Sequence, residues 1–190
     1  RSSDLTLLTE TITFFTRVPL SKFFLSGTWN PTGSSPEFGI WALIIGTLKI
    51  TVIATIVAVP IGLGAAIYLN EYASDRSRRI IKPILEILAG IPTIVFGFFA
   101  LTFVTPILRN LIPNLGEFNS ISPGIVVGIM IVPMITSMSE DAMSSVPDKI
   151  REGAFGLGAT KFEVATKVVL PAATSGVVAS IVLEIGRAHV

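Results

Sequence analysis

Residues 151–160 read REGAFGLGAT, and residues 168–171, which follow shortly after, read VVLP. The first segment is polar and glycine-rich, and it lies between two hydrophobic runs of the chain, at 118–139 and from Val168 onward. Both runs are apolar enough to enter a bilayer, whereas charged residues are costly in hydrocarbon. The sequence therefore predicts a water-facing loop on a membrane protein, and we interpret this loop as a docking element for a partner.

The composition supports a membrane protein independently of that loop. Hydrophobic residues make up 51% of the 190 residues and charged residues only 14%, whereas a soluble domain usually carries about 25% charged residues. The formal net charge of +1 gives no indication of a nucleic-acid partner. The chain has no cysteine, which excludes disulfides, thiolate catalysis and cysteine-ligated metals, and with a single histidine we expect no metal site.

Hydrophobic runs without charge predict the membrane spans, because a spanning helix needs roughly 20 apolar residues to cross about 30 Å of hydrocarbon. Such windows lie at 50–70, 87–108 and 118–139. A fourth starts at Val168 but meets Glu184 and Arg187. We therefore predict an all-α fold, a polytopic bundle of transmembrane helices with about four spans.

The basic residues predict how these spans are oriented. They cluster in two connecting segments, 71–83 and 140–167, whereas the segment 109–120 contains only Arg109. By the positive-inside rule, the two basic segments face the cytoplasm, and 109–120 and the N-terminal segment 1–39 face outward.

The first 39 residues are polar and lack the apolar core and cleavage site of a signal peptide. Apolar residues at helical spacing predict an amphipathic helix that Pro19 ends; they are Leu5, Leu8, Ile12 and Phe15. This helix either lies on the outer membrane surface or packs as a cap on neighbouring spans. We divide the chain into an external amphipathic segment and loop, 1–39, and a transmembrane domain, 40–190, whose coupling loop covers 140–171.

Each complete span contains a proline, which removes a backbone N–H donor and frees the carbonyl four residues earlier. The deepest are Pro60, Pro92 and Pro133. The freed carbonyls need new partners, so the prolines favour kinked helices around a cavity, although prolines are also simply commoner in spanning helices. Gly124 and Gly128 form a Gly-x-x-x-Gly pattern, which we interpret as a packing seam between helices of this chain.

The polar loop predicts two short helices. Pro147 and Asp148 suit a helix start, because proline fits the first turn and an acidic side chain interacts favourably with the helix dipole. Gly158 is placed to end that helix in a left-handed conformation. Thr160 and Glu163 then form a capping box for a second helix, which returns to the membrane.

The first of these helices offers apolar contacts to a partner, namely Ile150, Ala154, Phe155 and Leu157. They fit a groove on a soluble partner, but from physics alone a helix resting on lipid headgroups is equally acceptable. The chain has no phosphate-binding loop, because Lys161 follows Thr160 and the Gly-x-x-x-x-Gly-Lys-Ser/Thr spacing is absent. No Ser/His/Asp or Cys/His set can be assembled, so we expect no catalytic residue, metal site or cofactor in this chain.

The order Glu-x-Ala, three residues, Gly, nine residues, an aliphatic residue, one residue and Leu-Pro resembles the cytoplasmic signature loop of permease subunits of ATP-binding-cassette (ABC) importers. The loop residues concerned are Arg151, Glu152, Gly153, Ala154, Phe155, Gly156, Leu157, Gly158, Ala159, Thr160, Leu170 and Pro171. Other stretches resemble the phosphate-specific importers, and especially their C-type permease subunit. They are GTWNP at 27–31, VPIGLGAAIYL at 59–69, LAGIPTIVFGFF at 88–99 and IVPMIT at 131–136.

This resemblance implies the type I ABC importer permease fold and a place in a complex. Such an importer consists of two permease subunits of six spans each, two ATP-binding subunits and an external phosphate-binding protein, in the cytoplasmic membrane of a bacterium or archaeon. The resemblance further implies that the partner ATPase binds ATP and magnesium. Its closure on ATP pulls the docked loops together and turns the cavity outward.

The sequence departs from the family pattern in two places. Gly153 stands where the family usually has alanine, which weakens the helix by about 1 kcal/mol. Residues 186–188, GRA, resemble a family stretch that continues with an acidic residue, but here His189 and Val190 follow. We therefore expect a fragment of a permease, truncated at both ends, that does not transport alone.

Three residues are candidates for the substrate path: Arg187, Thr47 and Thr51. An arginine within a spanning helix usually faces a polar path, and a guanidinium group fits phosphate oxygens. An ion pair with Glu184 explains Arg187 equally well. The threonines either line the cavity or bond to their own helix backbone, which is the commoner role.

The sequence thus predicts a transmembrane permease subunit of an ATP-driven phosphate importer, which is not itself an enzyme. A permease for another oxyanion, such as molybdate or sulfate, stays open as an alternative, as does a non-transporting membrane scaffold or phosphate-sensing subunit. An ion-coupled secondary transporter is disfavoured, because the three complete windows hold no ionisable residue.

Overall fold

The structure, a computed structural model, describes residues 2–187, with side chains described for 5–186. In chain order the elements are α1 (Ser2–Arg17), α2 (Leu20–Leu25), β1 (Trp29–Asn30), β2 (Glu37–Phe38), α3 (Ile40–Ile67), α4 (Asp75–Ala89), α5 (Thr93–Phe99), α6 (Thr105–Leu111), α7 (Ile121–Ser144), α8 (Asp148–Gly156), α9 (Lys161–Glu163), α10 (Leu170–Ala172) and α11 (Thr174–Arg187). Turns of π-helix continue α3, α5 and α9, at Tyr68–Tyr72, Ala100–Val104 and Val164–Val169. The all-α prediction is confirmed, with a small hairpin as an addition.

The chain divides into two compact units, with the boundary between Lys49 and Ile50. In the first unit, α1 is the helix predicted from its apolar spacing, and the extended backbone of Pro19 separates it from α2. Strands β1 and β2 pair antiparallel, with Trp29 opposite Phe38 and their rings edge to face at 5.8 Å. The sequence does not predict this hairpin, because strands of two residues leave no periodic signal.

The described residues contain several helices long and apolar enough to cross a bilayer. Single helices of this kind are Ile40–Tyr72, Thr93–Leu111 and Ile121–Ser144. A further candidate span is a helix pair, Lys161–Ala172 and Thr174–Gly186, which is bent by 73°. The predicted spans at 50–70 and 118–139 are confirmed, and the fourth hydrophobic run forms the bent pair.

The predicted second span, 87–108, is wrong at its start. The last residues of α4 lie within that window, and the chain breaks at 90–92 before α5 begins. At this break the N–H of Ile91 donates to the Leu88 carbonyl at 3.3 Å. Pro92 therefore precedes a helix instead of kinking one, at a position where its missing N–H is not needed.

Pro60 and Pro133 do lie inside continuous helices, as the sequence predicts. Near them the Thr136 hydroxyl bridges α7 and α3, with its oxygen 2.8 Å from the Val132 carbonyl and 3.2 Å from the Gly62 carbonyl. Such contacts satisfy polar groups where water is absent. Kinks at these prolines and a cavity around them stay predictions.

Small residues let α3 and α7 approach closely. The buried positions of α3 recur every fourth residue and are Ala54, Ala58, Gly62 and Ala66. A Cβ added at Gly128 of α7 would lie 2.9 Å from Val57 Cβ and 3.0 Å from the Ala54 carbonyl oxygen. The Gly-x-x-x-Gly pattern is therefore a packing seam within the chain, as predicted.

An apolar core forms where α3 and α7 end and the chain returns toward α11. Its buried residues are Ala66, Met143, Val146, Val164, Val169, Ala173 and Val177. Because Val146 lies two residues after the end of α7 and Val164 directly follows α9, this core fixes both ends of the intervening loop on the spans.

We predict that Gly128→Ala destabilises the folded protein by about 1–3 kcal/mol, because the added methyl group meets a backbone oxygen and a packed valine. Gly64→Ala is the matched control, since a Cβ added there has no heavy atom within 4 Å and alanine favours a helix. Unfolding by SDS titration in mixed micelles measures both variants, and equal stability would contradict the seam.

Candidate functional site: the loop between α7 and α11

The predicted helix, glycine turn and second helix are all present. α8 begins directly after Pro147, and Gly158 has a φ of +85°. The N–H of Gly158 donates to the Phe155 carbonyl at 2.9 Å. The N–H of Ala159 donates to the Ala154 carbonyl at 3.1 Å. These two bonds form a Schellman motif, so the left-handed C-cap predicted at Gly158 is confirmed.

The predicted capping box is also present at the start of α9. Thr160 Oγ1 accepts a hydrogen bond from the N–H of Glu163 at 3.3 Å, and Glu163 Oε2 accepts one from the N–H of Thr160 at 3.1 Å. Each bond satisfies an N–H group that a helix start leaves open. Backbone geometry therefore fixes the turn on both sides.

The segment 148–163, called the α8–α9 segment below, packs one side on the protein and exposes apolar residues on the other. Ala154 and Ala159 pack against the apolar core described above. The exposed fractions of the outward residues are 47% for Ile150, 41% for Phe155 and 91% for Leu157. Three of the four predicted apolar contacts are thus available to a partner, whereas Ala154 contacts the protein itself.

Arg151 belongs to the predicted loop but points inward, with a side chain only 14% exposed. Its guanidinium donates to the carbonyls of Met143 at 2.7 Å and Val146 at 2.8 Å, where α7 ends. Nε donates to Glu71 Oε1 at 3.3 Å, and Nη1 donates to Asp148 Oδ1 at 2.9 Å. Arg151 therefore joins α8 to the ends of both α3 and α7.

Asn70 lies in the π-helical turn that ends α3 and contacts three other helices. Its Oδ1 accepts a hydrogen bond from Arg151 Nη2 of α8 at 3.2 Å. Its carbonyl accepts one from Arg78 Nη2 of α4 at 3.1 Å, and its Nδ2 lies 3.5 Å from the Glu140 carbonyl of α7. We call Asn70, Glu71 and Arg151 the junction.

Beside the junction, the Glu140 carboxylate is buried at the end of α7, with 2% exposure. Lys82 Nζ of α4 lies 2.5 Å from Oε2, and Arg78 Nε lies 3.8 Å from Oε1. Among the described residues Oε2 has no partner in directed hydrogen-bond geometry, so Lys82 compensates it by charge. The contact with Glu140 raises the pKa of Lys82 above its usual value, against partial burial, which lowers it, and with a smaller contribution from Asp141 at 3.3 Å.

The ion pairs between segments 71–83 and 140–167 place both at the same end of the spans, as the basic residues predict. Asn70, Glu71, Lys82 and Glu140 are nevertheless missing from the predicted site. A signal was present, because Glu71 and Glu140 each follow an apolar run directly. Which basic residue meets which acid depends on the fold and cannot be derived from spacing.

The remaining loop residues differ in exposure. Glu152, Gly153, Gly156, Thr160 and Pro171 are exposed, whereas Leu170 is half-buried against the core. Their role in coupling stays a prediction.

The candidate substrate-path residues also keep the status of predictions. Thr47 is exposed and Thr51 is half-buried, and the Thr51 carbonyl accepts a hydrogen bond from the Thr55 hydroxyl at 2.8 Å. Arg187 is the last residue of α11, but its side chain lies outside the described part of the chain, as do residues 188–190. Glu184, on the same helix, is buried.

Known proteins share this sequence pattern. Residues 58–189 match the model of the family described as binding-protein-dependent transport system inner membrane component. The probable ABC transporter permease protein YqgH of Bacillus subtilis (strain 168) is 38% identical over 168 residues, which cover 88% of this chain and 54% of that protein. The phosphate transport system permease protein PstC of Haemophilus influenzae is 37% identical over 186 residues, covering 88% and 58%. The corresponding protein of Mesorhizobium japonicum is 35% identical, covering 88% and 56%. The chain thus spans somewhat more than half the length of the curated relatives it matches.

A solved structure shares the fold. A chain of the MetNI methionine ABC transporter, in inward-facing conformations, aligns with a TM-score of 0.59 and 21% identity over 79% of this chain and 68% of that one. The predicted ABC importer permease fold is confirmed, and the relatives are transport permeases, not enzymes. Together with the apolar helices, the family match identifies a multi-pass protein of the cytoplasmic membrane.

We predict that Gly158→Val destabilises the turn after α8 by roughly 1–3 kcal/mol, because a β-branched residue is strained in the left-handed region. Gly153→Ala, in the interior of α8 and with no heavy atom within 4 Å of the added Cβ, should instead stabilise the helix by about 0.5–1 kcal/mol. Hydrogen exchange of the amides at 158 and 159 measures the turn. Unchanged exchange in Gly158→Val would show that the Schellman motif does not hold it.

We predict that Lys82→Met destabilises the protein by roughly 1–3 kcal/mol, less than the loss expected for a fully buried pair, because Lys82 is one-third exposed and Arg78 remains near Glu140. Arg79→Met, at an exposed position of the same helix, is the control for charge.

The pH dependence follows from the Lys82 pKa, which is raised in the fold. The contribution of Lys82 to the stability of the fold is therefore complete below the usual pKa of 10.5 and is lost as the pH rises through the raised pKa. Thermal unfolding in detergent from pH 8 to 10.5 should therefore show a constant difference between wild type and Lys82→Met, and an equal effect of Lys82→Met and Arg79→Met would contradict the pairing.

Proposed function

Because the chain belongs to the family of binding-protein-dependent transport system inner membrane components, we propose that it forms part of the transmembrane permease subunit of an ATP-driven phosphate importer. The α8–α9 segment carries this proposal. It is a polar segment of a membrane protein, fixed on the ends of the spans, whose outward side nevertheless carries exposed apolar residues. Leu157, at 91% exposure, is the most prominent of them.

Docking of an ATP-binding subunit on this segment accounts for those residues. Full burial of one large apolar side chain contributes about 1.5–3 kcal/mol, and a short helix with an apolar side fits a groove on a partner. Lys149 and Glu152 are exposed on the same helix and suit a polar rim around the contact. A headgroup contact would not require the backbone-fixed turn that presents Leu157.

Docking would couple ATP to the membrane spans. When two ATP-binding subunits close on ATP, they draw the docked helices together, and the spans change from one state, open to one side of the membrane, to the other. ATP binding inside and the loaded binding protein outside each favour one of these states, as coupling requires. Hydrolysis resets the cycle.

The complete importer would therefore contain a second permease subunit, two ATP-binding subunits and an external phosphate-binding protein. ATP and magnesium would bind to the ATP-binding subunits, which would also hydrolyse the ATP. In this proposal the permease contributes no catalytic residue, no metal ligand and no cofactor, and acts through its shape and its contacts.

Phosphate is the proposed substrate because the relatives from Haemophilus and Mesorhizobium are phosphate transport system permeases. Arg187 is the candidate anion contact, since a guanidinium fork matches phosphate oxygens. Thr47 and Thr51 are candidate hydroxyl contacts along the same path. Molybdate and sulfate present similar tetrahedral oxygens, so they are the competitors that a test must include.

We expect the complete permease, supplied with its ATP-binding subunits and binding protein, to restore radiolabelled phosphate uptake in cells that lack a high-affinity phosphate permease. Uptake should persist in excess sulfate and molybdate. An inserted and assembled permease without phosphate uptake would contradict the proposal and favour another oxyanion or a non-transporting scaffold.

We predict that Leu157→Asp lowers co-purification of the ATP-binding subunit by about tenfold or more, because a charged group cannot enter an apolar groove without compensation. The fold should be unaffected, since Leu157 is 91% exposed. Arg76→Gln, exposed on α4, changes the net charge by the same unit and serves as control. Equal co-purification of the two variants, measured with purified components, would show that Leu157 is not a docking residue.

A further inference from the structure

We propose that Arg151 is a positioning residue and not a docking contact: it makes α8 move as one body with the ends of α3 and α7. This inference rests on the proposed function, since it concerns how the motion of an ATP-binding subunit reaches the spans. Arg151 acts through the junction with Asn70 and Glu71, and it does not need to touch ATP, substrate or the partner.

The guanidinium of Arg151 is saturated with acceptors. All three of its nitrogens donate to groups of the protein itself, and the side chain is 14% exposed. The exposed residues Ile150, Phe155 and Leu157 offer the contact area, and Arg151 does not add to it. A docking role for Arg151 would require breaking contacts that are already made.

Most of these acceptors lie at or near the ends of two spans. Two carbonyl acceptors, of Met143 and Val146, belong to the end of α7 and the residues after it, and two side-chain acceptors, of Asn70 and Glu71, belong to the end of α3. Glu71 is itself only 7% exposed. A force on α8 therefore reaches two spans through one planar group whose bonds have fixed directions.

Besides the contacts of Arg151, α8 packs on the apolar core. Its inward apolar contact comes from Ala154, a short side chain that leaves little to resist sliding of the helix over the core. Directional bonds resist such sliding, because a small displacement breaks their geometry. The guanidinium thus fixes the position of α8 along the core surface, whereas apolar packing mainly keeps the helix in contact with that surface.

Asn70 extends this link to a third helix. Its side chain meets Arg151 and the Glu140 carbonyl, while its own carbonyl meets Arg78 of α4. Arg151 and Asn70 therefore act in one connection, and because Asn70→Ala removes one of the acceptors of Arg151, the effects of changing the two residues should overlap. In a double-mutant cycle, the losses caused by the two single changes should therefore not add up in the double variant.

The test uses the complete permease assembled with its ATP-binding subunits and binding protein in sealed proteoliposomes. Phosphate accumulation and ATP hydrolysis are measured together for wild type, Arg151→Lys, Asn70→Ala and the double variant. Lysine keeps the charge but lacks the planar fork. Arg79→Lys, the same exchange at an exposed position of α4, is the matched control.

We expect Arg151→Lys to retain the ATP-binding subunits and their hydrolysis but to transport less phosphate per ATP by about tenfold, within the usual range of coupling between sites. The double variant should be no worse than the more affected single variant, and Arg79→Lys should match wild type. Loss of the ATP-binding subunits in Arg151→Lys would assign a docking role and overturn the inference. An unchanged ratio of phosphate to ATP, or additive losses in the double variant, would also overturn it.

The wild-type arm separates this inference from the proposed function. Wild type that binds the ATP-binding subunits but accumulates no phosphate shows that the proposed function fails. Wild type that accumulates phosphate with the same phosphate-to-ATP ratio as Arg151→Lys shows that only the positioning role fails.

Discussion

A guanidinium group removed from water needs an acceptor for its N–H groups, and for Arg151 these acceptors come from three parts of the chain. The end of α7 supplies backbone carbonyls, the end of α3 supplies side-chain oxygens, and α8 itself supplies Asp148. Unsatisfied, this buried charge would destabilise the fold by several kcal/mol. The position of the α8–α9 segment is therefore tied to the way in which α3 and α7 end. The exposed apolar residues Ile150, Phe155 and Leu157 lie on the same segment, so a partner docked on them is connected through Arg151 to the ends of two spans.

Different interactions thus stabilise the apolar region of the spans and the ends of the spans. Within the apolar region, α3 and α7 meet through alanine and glycine. Helices in lipid gain little free energy from burying apolar surface, since lipid is itself apolar. Van der Waals contact therefore drives their association, and small residues let the two backbones come close enough to make it. At the ends of the spans, hydrogen bonds and ion pairs join α3, α4, α7 and α8. Close packing makes the spans stiff, and the polar contacts connect these stiff elements to the loop. This combination suits a protein proposed to pass motion from a docked partner into the membrane.

Features that depend on a few neighbouring residues were predictable from sequence. The left-handed Gly158, the capping box at Thr160 and the helical spacing of α1 each follow from local backbone chemistry. The Gly-x-x-x-Gly seam was predictable in kind, although its partner helix was not. The break at 90–92 was missed because an apolar run continues through it, and apolar composition alone does not show where a helix stops. The inward direction of Arg151 was missed for a different reason. Its acceptors lie far apart in sequence, and only the folded chain brings them together.

In the proposed function, the outward side of the α8–α9 segment meets an ATP-binding subunit and not lipid. The most direct measurement places a photo-reactive amino acid at position 157 of the complete permease, reconstituted with purified ATP-binding subunits in lipid vesicles. The expected result is a covalent product between the permease and an ATP-binding subunit, identified by mass spectrometry of the joined peptides. Products with lipid, and none with the ATP-binding subunit, would contradict it.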